Sequence, residues 1–273
     1  MLSRERPLVL VGGGKMGEAL LAGWLRHGLV PEAVLVVEPA EARRQALAAA
    51  HGATIVARPE DLPDGLTPGA LVLAVKPQMM DAALPAHARH VTPDTLVLSI
   101  AAGKPIALFE RLLGGAPGVV RAMPNTPAAV GRGVSVLCAN AQASPAQRDL
   151  AERLMGAVGA TRWIGDEELM HAVTAVSGSG PAYVFYLIEA LAAAGGRAGL
   201  PEELAVALAR GTVVGAGELA RLSDETAAQL RTNVTSPGGT TAAALQVLMG
   251  QDGLVPLLER AVAAAARRSR ELA

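Results

Sequence analysis

Along the first part of the chain, apolar positions fall in short unbroken runs separated by segments with helical spacing. Leu8-Val9-Leu10-Val11, Val34-Leu35-Val36-Val37 and Thr54-Ile55-Val56 are such runs, and Ala70 to Val75 and Leu96 to Ile100 repeat them. An apolar run without polar alternation is what a parallel strand buried on both faces requires. Between the runs, Gly14 to His27 and Glu41 to Ala50 carry apolar residues at helical spacing. Val119 to Ala122 and Val134 to Cys138 are further candidate strands. Strand and helix in repeated alternation predict a parallel, doubly wound α/β sheet.

From about Asp166 the strand-like runs vanish and Ala/Leu-rich helical segments take over, broken at Gly178-Ser179-Gly180-Pro181, Gly195-Gly196, Gly199-Leu200-Pro201 and Ser236-Pro237-Gly238-Gly239. The three prolines stand at or just before helix starts, where a missing N–H costs little. The expected division is therefore an α/β domain over 1–165 and an all-α domain over 166–273. The helix following Pro181 is apolar nearly all round. Such a helix is buried on every side, and a domain of about a hundred residues supplies little cover. This points to a partner subunit related by a two-fold axis; the alternative is a central place in its own bundle.

Composition narrows the class. The 273 residues are enough for two domains; 51% are hydrophobic but only 2% aromatic, so the core must be built from Ala, Val and Leu. A formal net charge of −1 provides no basic field for nucleic acid or an anionic membrane. The single cysteine, Cys138, excludes an internal disulfide and fits a reducing cytoplasm. Arg4 and Arg6 precede an apolar run, but Gly12-Gly13-Gly14 cuts it too short for a secretory signal. Ala182 to Ala194 contains Glu189 and falls short of the ~20 residues of a membrane helix. The expectation is a soluble, cytoplasmic protein.

The first candidate chemistry is the turn after the first strand, Val11-Gly12-Gly13-Gly14-Lys15-Met16-Gly17. Gly12, Gly14 and Gly17 form G-x-G-x-x-G between a strand and a helix, the fingerprint of a Rossmann-type dinucleotide domain. Gly12 permits the tight turn, Gly14 lets the backbone approach a pyrophosphate, and Gly17 lets helix and strand pack closely. The helix start offers unpaired N–H groups and a partial positive charge to the phosphates. Glu38 ends the second strand, where a carboxylate can accept from ribose hydroxyls and repels a 2′-phosphate. NADH is favoured on that ground. NADPH stays open because Arg43 and Arg44 follow, either as a solvated helix face or as phosphate ligands. A kinase-type P-loop is not supported, since no Gly-Lys-Ser/Thr closes the turn.

Two later segments, Ser177-Gly178-Ser179-Gly180-Pro181-Ala182-Tyr183 and Asn233-Val234-Thr235-Ser236-Pro237-Gly238-Gly239-Thr240-Thr241, together with the glycine-rich start, closely resemble pyrroline-5-carboxylate reductase. The resemblance runs the length of the chain and includes Ala74-Val75-Lys76-Pro77, Ala101-Ala102-Gly103 and Met123-Pro124-Asn125-Thr126-Pro127. It implies a Rossmann domain followed by helices that interlock two subunits, with dimers stacked into a ring in some members. It implies cofactor contacts at Val11 to Met16, Ala74 to Pro77, Ile100 to Ala102 and Asn233. The substrate carboxylate would be held at Ser236, Gly239, Thr240 and Thr241, with Glu167 at an acidic position near the proline site. Met123 to Pro127 would shape the floor. Glycines leading into a helix start also make a nest of donors for an anion on physical grounds, although Ser, Thr and Gly equally suit a plain helix cap.

The implied reaction is hydride transfer from NAD(P)H to the imine carbon of L-1-pyrroline-5-carboxylate, giving L-proline, with Thr241 hydrogen-bonding the ring nitrogen. No metal is expected. An imine that is already protonated needs no strong acid, and His27, His51, His87, His90 and His171 read as surface or helix positions outside the motifs. A 3-hydroxyacid dehydrogenase would need a helical lysine after Gly178-Ser179-Gly180, and none is there. A dinucleotide sensor without turnover is the remaining alternative.

Overall fold

A computed structural model of the protein describes residues 2–114 and 117–272, in two compact units: Met1–Gly178 with Ala266–Ala273, and Ser179–Ala265. The first unit runs β1 (Leu8–Val11), α1 (Lys15–Arg26), β2 (Val34–Val37), α2 (Glu41–His51), β3 (Thr54–Val56), β4 (Ala70–Leu73), α3 (Met80–Ala83), β5 (Leu96–Ser99), α4 (Ile106–Leu113), β6 (Gly118–Met123), β7 (Gly133–Ala139), α5 (Pro145–Gly156), β8 (Gly159–Trp163) and α6 (Met170–Val173). The strands form one sheet in the order β3-β2-β1-β4-β5-β6-β7-β8.

Alternation along the central strands explains the unbroken apolar runs. Leu8, Leu10, Ala70, Val72, Leu96 and Leu98 enter one core with Leu20, Leu21 and Trp24 of α1 and Met155 of α5. Val9, Val11, Leu71, Leu73 and Val97 enter the opposite core with Phe109 of α4, Met80 and Leu84. Each strand is thus apolar on both faces because each face has its own helical cover.

One pair departs from the parallel pattern. β7 runs antiparallel to β6, Val120 facing Ala139, whereas β7 and β8 are parallel. The link from Pro124 to Arg132 holds only a 3₁₀ turn, Thr126–Val130, and a parallel return needs a longer crossover. β8 was not among the expected strands. Its sequence, Gly-Ala-Thr-Arg-Trp, alternates half-buried and exposed positions at the sheet edge, so it carries no apolar run.

The second unit contains α7 (Gly180–Arg197), α8 (Glu202–Leu222), α9 (Ala227–Asn233), α10 (Thr240–Leu248) and most of α11 (Leu254–Glu271). The compact units part after Gly178 rather than near Gly165. Residues between those points are tied to the sheet, since Met170 is fully buried in its core and Glu167 bonds Arg121 of β6. The end of α11 also belongs to the first unit, where Ser269 Oγ meets His171 Nδ1 at 3.0 Å. Among the described residues, no helix is long and apolar enough to cross a membrane.

Candidate active site

The strand order reverses direction between β1 and β4, and ligands of open α/β sheets bind beyond the strand ends at such a point. A cavity of about 500 Å³ lies there. Of the expected cofactor residues, Val11, Gly12, Gly14, Glu38, Ala74, Val75 and Lys76 line it. Pro77 and Ala102 instead line a neighbouring cavity of about 250 Å³, with Lys104, Thr174, Ser269 and Leu272. Gly13, Lys15, Met16, Gly17, Ile100 and Ala101 line neither.

The glycine turn is built by close approach. Gly12 has φ +100°, and a side chain there would meet the backbone of Ala74 at 2.9 Å. A Cβ on Gly17 would collide with the Gly12 carbonyl, so α1 starts directly against the turn. Gly14 is the N-cap of α1, with no side-chain cap and no atom within 4 Å of where its Cβ would stand. The helix start is therefore open to an approaching anion, with the first-turn N–H groups pointing outward.

Glu38 is 8% exposed and its carboxylate is fixed by two backbone donors: Gly13 N–H donates to Oε2 at 2.8 Å and Ala40 N–H to Oε1 at 2.9 Å. It clamps the glycine turn to the end of β2 as well as lining the cavity. The arginines are committed too. Arg43 donates to the Gly13 carbonyl and to Glu18, whose carboxyl that hydrogen bond holds below its ordinary range. Arg44 donates to the carbonyls of Glu38 and Pro39. Neither is the purely solvated side chain of a helix face.

Glu167 is likewise not a lone charge at a helix start. Its Oε1 accepts from Ile106 N–H at 2.9 Å and from Arg121, 4% exposed, at 2.8 Å. The Met123–Pro127 stretch touches the Ser177–Gly178 segment: Asn125 Nδ2 donates to Ser177 Oγ at 3.3 Å, and Met123 packs where a Gly178 side chain would stand. Burial pushes the Cys138 thiol above its ordinary range, so it is poorly suited to act as a nucleophile.

In the second unit, Gly239 is the N-cap of α10, again without a side-chain cap, and Thr240 and Thr241 form the first helical turn. Gly238 has φ +70°, and a Cβ on Gly239 would collide with Ser236 Oγ. This is a compact turn that presents the start of a helix without plugging it. Asn233 is engaged within its own unit, donating to Glu225 Oε2 at 2.8 Å and accepting from Gln229 at 2.7 Å.

Three histidines expected at surface or helix positions stand in helical turns, and all three are buried. His87 is 0%, His90 3% and His171 7% exposed. Arg58, Pro59, Ala83, Ala86 and His87 also line the larger cavity without having been expected there. They come from segments after β3 and β4 that carry no motif, so only the sheet order brings them to the site.

The fold and its cavity define a Rossmann-type dinucleotide-binding oxidoreductase. Residues 7–103 match the family model described as NADP oxidoreductase coenzyme F420-dependent, and residues 167–272 match that for pyrroline-5-carboxylate reductase dimerisation. A pyrroline-5-carboxylate reductase of Pseudomonas aeruginosa is 42% identical over 97% of this chain and 96% of its own length. One from Pisum sativum is 38% identical over 100% and 98%. A solved reductase structure from Coxiella burnetii superposes with a TM-score of 0.92 at 35% identity, covering 98% of this chain and 99% of the other. That of Plasmodium falciparum pyrroline carboxylate reductase, with NADP bound, gives 0.82 at 30% identity and 98% of each. The chain belongs to the pyrroline-5-carboxylate reductase family.

Proposed function

We propose that this protein reduces L-1-pyrroline-5-carboxylate to L-proline, the last step of proline biosynthesis, with a reduced nicotinamide dinucleotide as donor. The single observation that carries the reading is likeness to named reductases over the whole chain. The residues present fit the cofactor: the α1 start is open above Gly14, and a cavity of about 500 Å³ runs from it past Glu38. The bound dinucleotide supplies the hydride.

The chain's own residues bind and orient. Val11 to Gly17 hold the phosphates, Glu38 faces the ribose, and Ala74 to Pro77, Ile100 to Ala102 and Asn233 complete the cofactor contacts. Ser236, Gly239, Thr240 and Thr241 hold the substrate carboxylate on the helix-start donors, and Thr241 hydrogen-bonds the ring nitrogen. Glu167, held by Arg121, borders the substrate. Productive transfer needs donor and acceptor carbons within ~3–3.5 Å, and anchoring the carboxylate serves to fix the ring's orientation.

NADH is favoured over NADPH. Glu38 places a carboxylate at the ribose end, and Arg43 and Arg44 are already spent on Glu18 and backbone carbonyls. The active form is a homodimer through the C-terminal helices, which some members of the family stack into a ring of dimers, and it works in the cytoplasm. Oxidation of NADH and of NADPH by pyrroline-5-carboxylate, followed by absorbance, tests the reading. Saturable turnover supports it, and dinucleotide binding with no turnover would instead indicate a sensor.

A further inference from the structure

The middle of the glycine turn is gripped from outside the cavity. Gly13 N–H donates to Glu38 Oε2 at 2.8 Å, and the Gly13 carbonyl accepts from Arg43 Nε at 2.9 Å and Nη2 at 2.6 Å. A Cβ on Gly13 would collide with Leu47, so the turn also lies flush on α2. Arg43 is itself aimed by Glu18 of α1, whose Oε2 accepts from Nη2 at 2.9 Å and whose Oε1 lies 3.5 Å from His51 Nε2. Arg43, Glu18 and His51 line neither the larger cavity nor the smaller one. The binding chemistry proposed above gives them no part.

Peptide geometry carries their grip to the ligand side. The Gly13 carbonyl and the Gly14 N–H belong to one planar trans unit and point in opposite directions. Holding the carbonyl towards α2 therefore turns the Gly14 N–H away from α2. Gly14 lines the larger cavity and Gly13 does not, and the Gly14 N–H donates to no group among the described residues. Two nitrogens of a rigid guanidinium on one carbonyl oxygen restrain that peptide's rotation more firmly than a single flexible ammonium would.

We propose that Arg43 is a positioning residue for the dinucleotide: by holding the Gly13 carbonyl it aims the Gly14 N–H at the pyrophosphate, without touching the ligand itself. This rests on the cavity being the dinucleotide site. It is distinct from a role as ligand of a 2′-phosphate.

The test is fluorescence titration of the full chain and of its R43M, R43K and E18Q variants with NADH and NADPH, with ADP and adenosine as competitors of NADH. R43M raises the dissociation constants of NADH and NADPH alike, by about tenfold, the size of one hydrogen bond to an anion. ADP, which carries a diphosphate, weakens in the same proportion, whereas adenosine competes as well as it does with the wild type. R43K keeps the charge but not the fork, and recovers only part of the loss. E18Q loosens the aim of Arg43 and gives a smaller loss of the same pattern, which carries the test if R43M does not fold. Undiminished NADH affinity in folded R43M, or in E18Q where R43M does not fold, overturns the proposal. A loss confined to NADPH overturns it by making Arg43 a 2′-phosphate ligand. Full recovery in R43K overturns it by making the charge alone the agent, and equal weakening of adenosine by making Arg43 a prop of the whole pocket. No saturable NADH binding by the wild type overturns the dinucleotide reading itself, and the role of Arg43 with it.

Discussion

The two units of this chain are built by different rules. In the first, every central strand is covered on both faces, and large side chains such as Trp24 and Phe109 are fully enclosed. In the second, the residues buried among those described are Ala205 and Ala209, both on α8. α7 and α8 pack through small residues, with Gly195 close against Ala205, and large residues point outward. Phe185 is 59% and Tyr186 70% exposed, joined by Leu187, Leu191, Val206 and Val214. Exposed apolar surface on this scale marks an interaction face. The helix after Pro181 is apolar nearly all round in sequence, yet none of its residues is fully buried. The first unit is complete as one chain; the second is composed for an assembly, and it lies within the region matched by the family's dimerisation model.

The most drastic way to break this contrast is to charge the outward face of α7. Leu187 and Leu191 lie four residues apart, on one side of the helix, and are 49% and 43% exposed. Replacing both with Glu leaves the single chain's packing intact but forbids burial against a partner, because unpaired charges there are costly. We expect the mass from sedimentation or light scattering to fall to that of one chain, with activity lost. An unchanged mass would place the interface elsewhere. In the first unit the comparable break is Gly12→Ala. Its Cβ would stand 2.9 Å from the Ala74 backbone at φ +100°, costing about 3 kcal/mol or more and lowering the thermal midpoint. Gly14→Ala meets nothing within 4 Å, so it should leave the midpoint unmoved and weaken dinucleotide binding alone. Equal destabilisation by the two substitutions would contradict the division between packing and ligand approach.

Much of the first unit is legible in the sequence because its physics is local. An unbroken apolar run is the signature of a doubly covered strand, and glycines at turn spacing announce the loop. What is not legible depends on sheet order. The edge strand β8 needs no apolar run. The antiparallel turn of β7 follows from the shortness of its link. Arg121 sits within the apolar Val119–Ala122 run and is tolerated because Glu167, distant in sequence, meets it at 2.8 Å. Pro85-Ala-His-Ala-Arg-His90 carries no apolar run, yet both of its histidines are buried. The candidate site divides the same way: the glycine turn and Glu38 are visible as motifs, whereas Arg58 and His87 reach the cavity from unmarked segments.

His87 provides a third test, on stability. In the unfolded chain its pKa returns to about 6.5, against about 4 in the fold. Between those values the unfolded state binds the extra proton. The stability present above pH 6.5 is therefore lost as pH falls towards 4, by on the order of 3 kcal/mol in all. H87L lacks this component, so its urea midpoint should fall less than that of the wild type between about pH 7 and about pH 4.5. Parallel profiles would mean the ring is not buried uncharged. Thr241, in the second unit, is proposed to act through ligand contact instead. Thr241→Ala should lower catalytic efficiency by about tenfold to a hundredfold, the range for losing one or two polar contacts to a reacting group. Its assembly mass should not change. Undiminished efficiency would remove the substrate assignment at the α10 start.

The smallest expected effect sharpens the contrast most, because it should be confined to one unit. Glu38→Ser removes a carboxylate held by Gly13 and Ala40 N–H groups at the edge of the cavity. Losing that clamp loosens the turn for either cofactor, so absolute affinities for NADH and NADPH should both drop. The ratio between them isolates the charge. Without Glu38, a 2′-phosphate no longer meets a fixed negative group, and relative use of NADPH should rise several-fold, a size set by one partly screened charge pair. Raising the salt concentration should shrink the wild-type discrimination in the same direction. Thr241→Ala, in the proposed substrate site of the other unit, should leave the ratio where it was. A ratio that follows Thr241 and ignores Glu38 would mean that cofactor choice is not made at the end of β2.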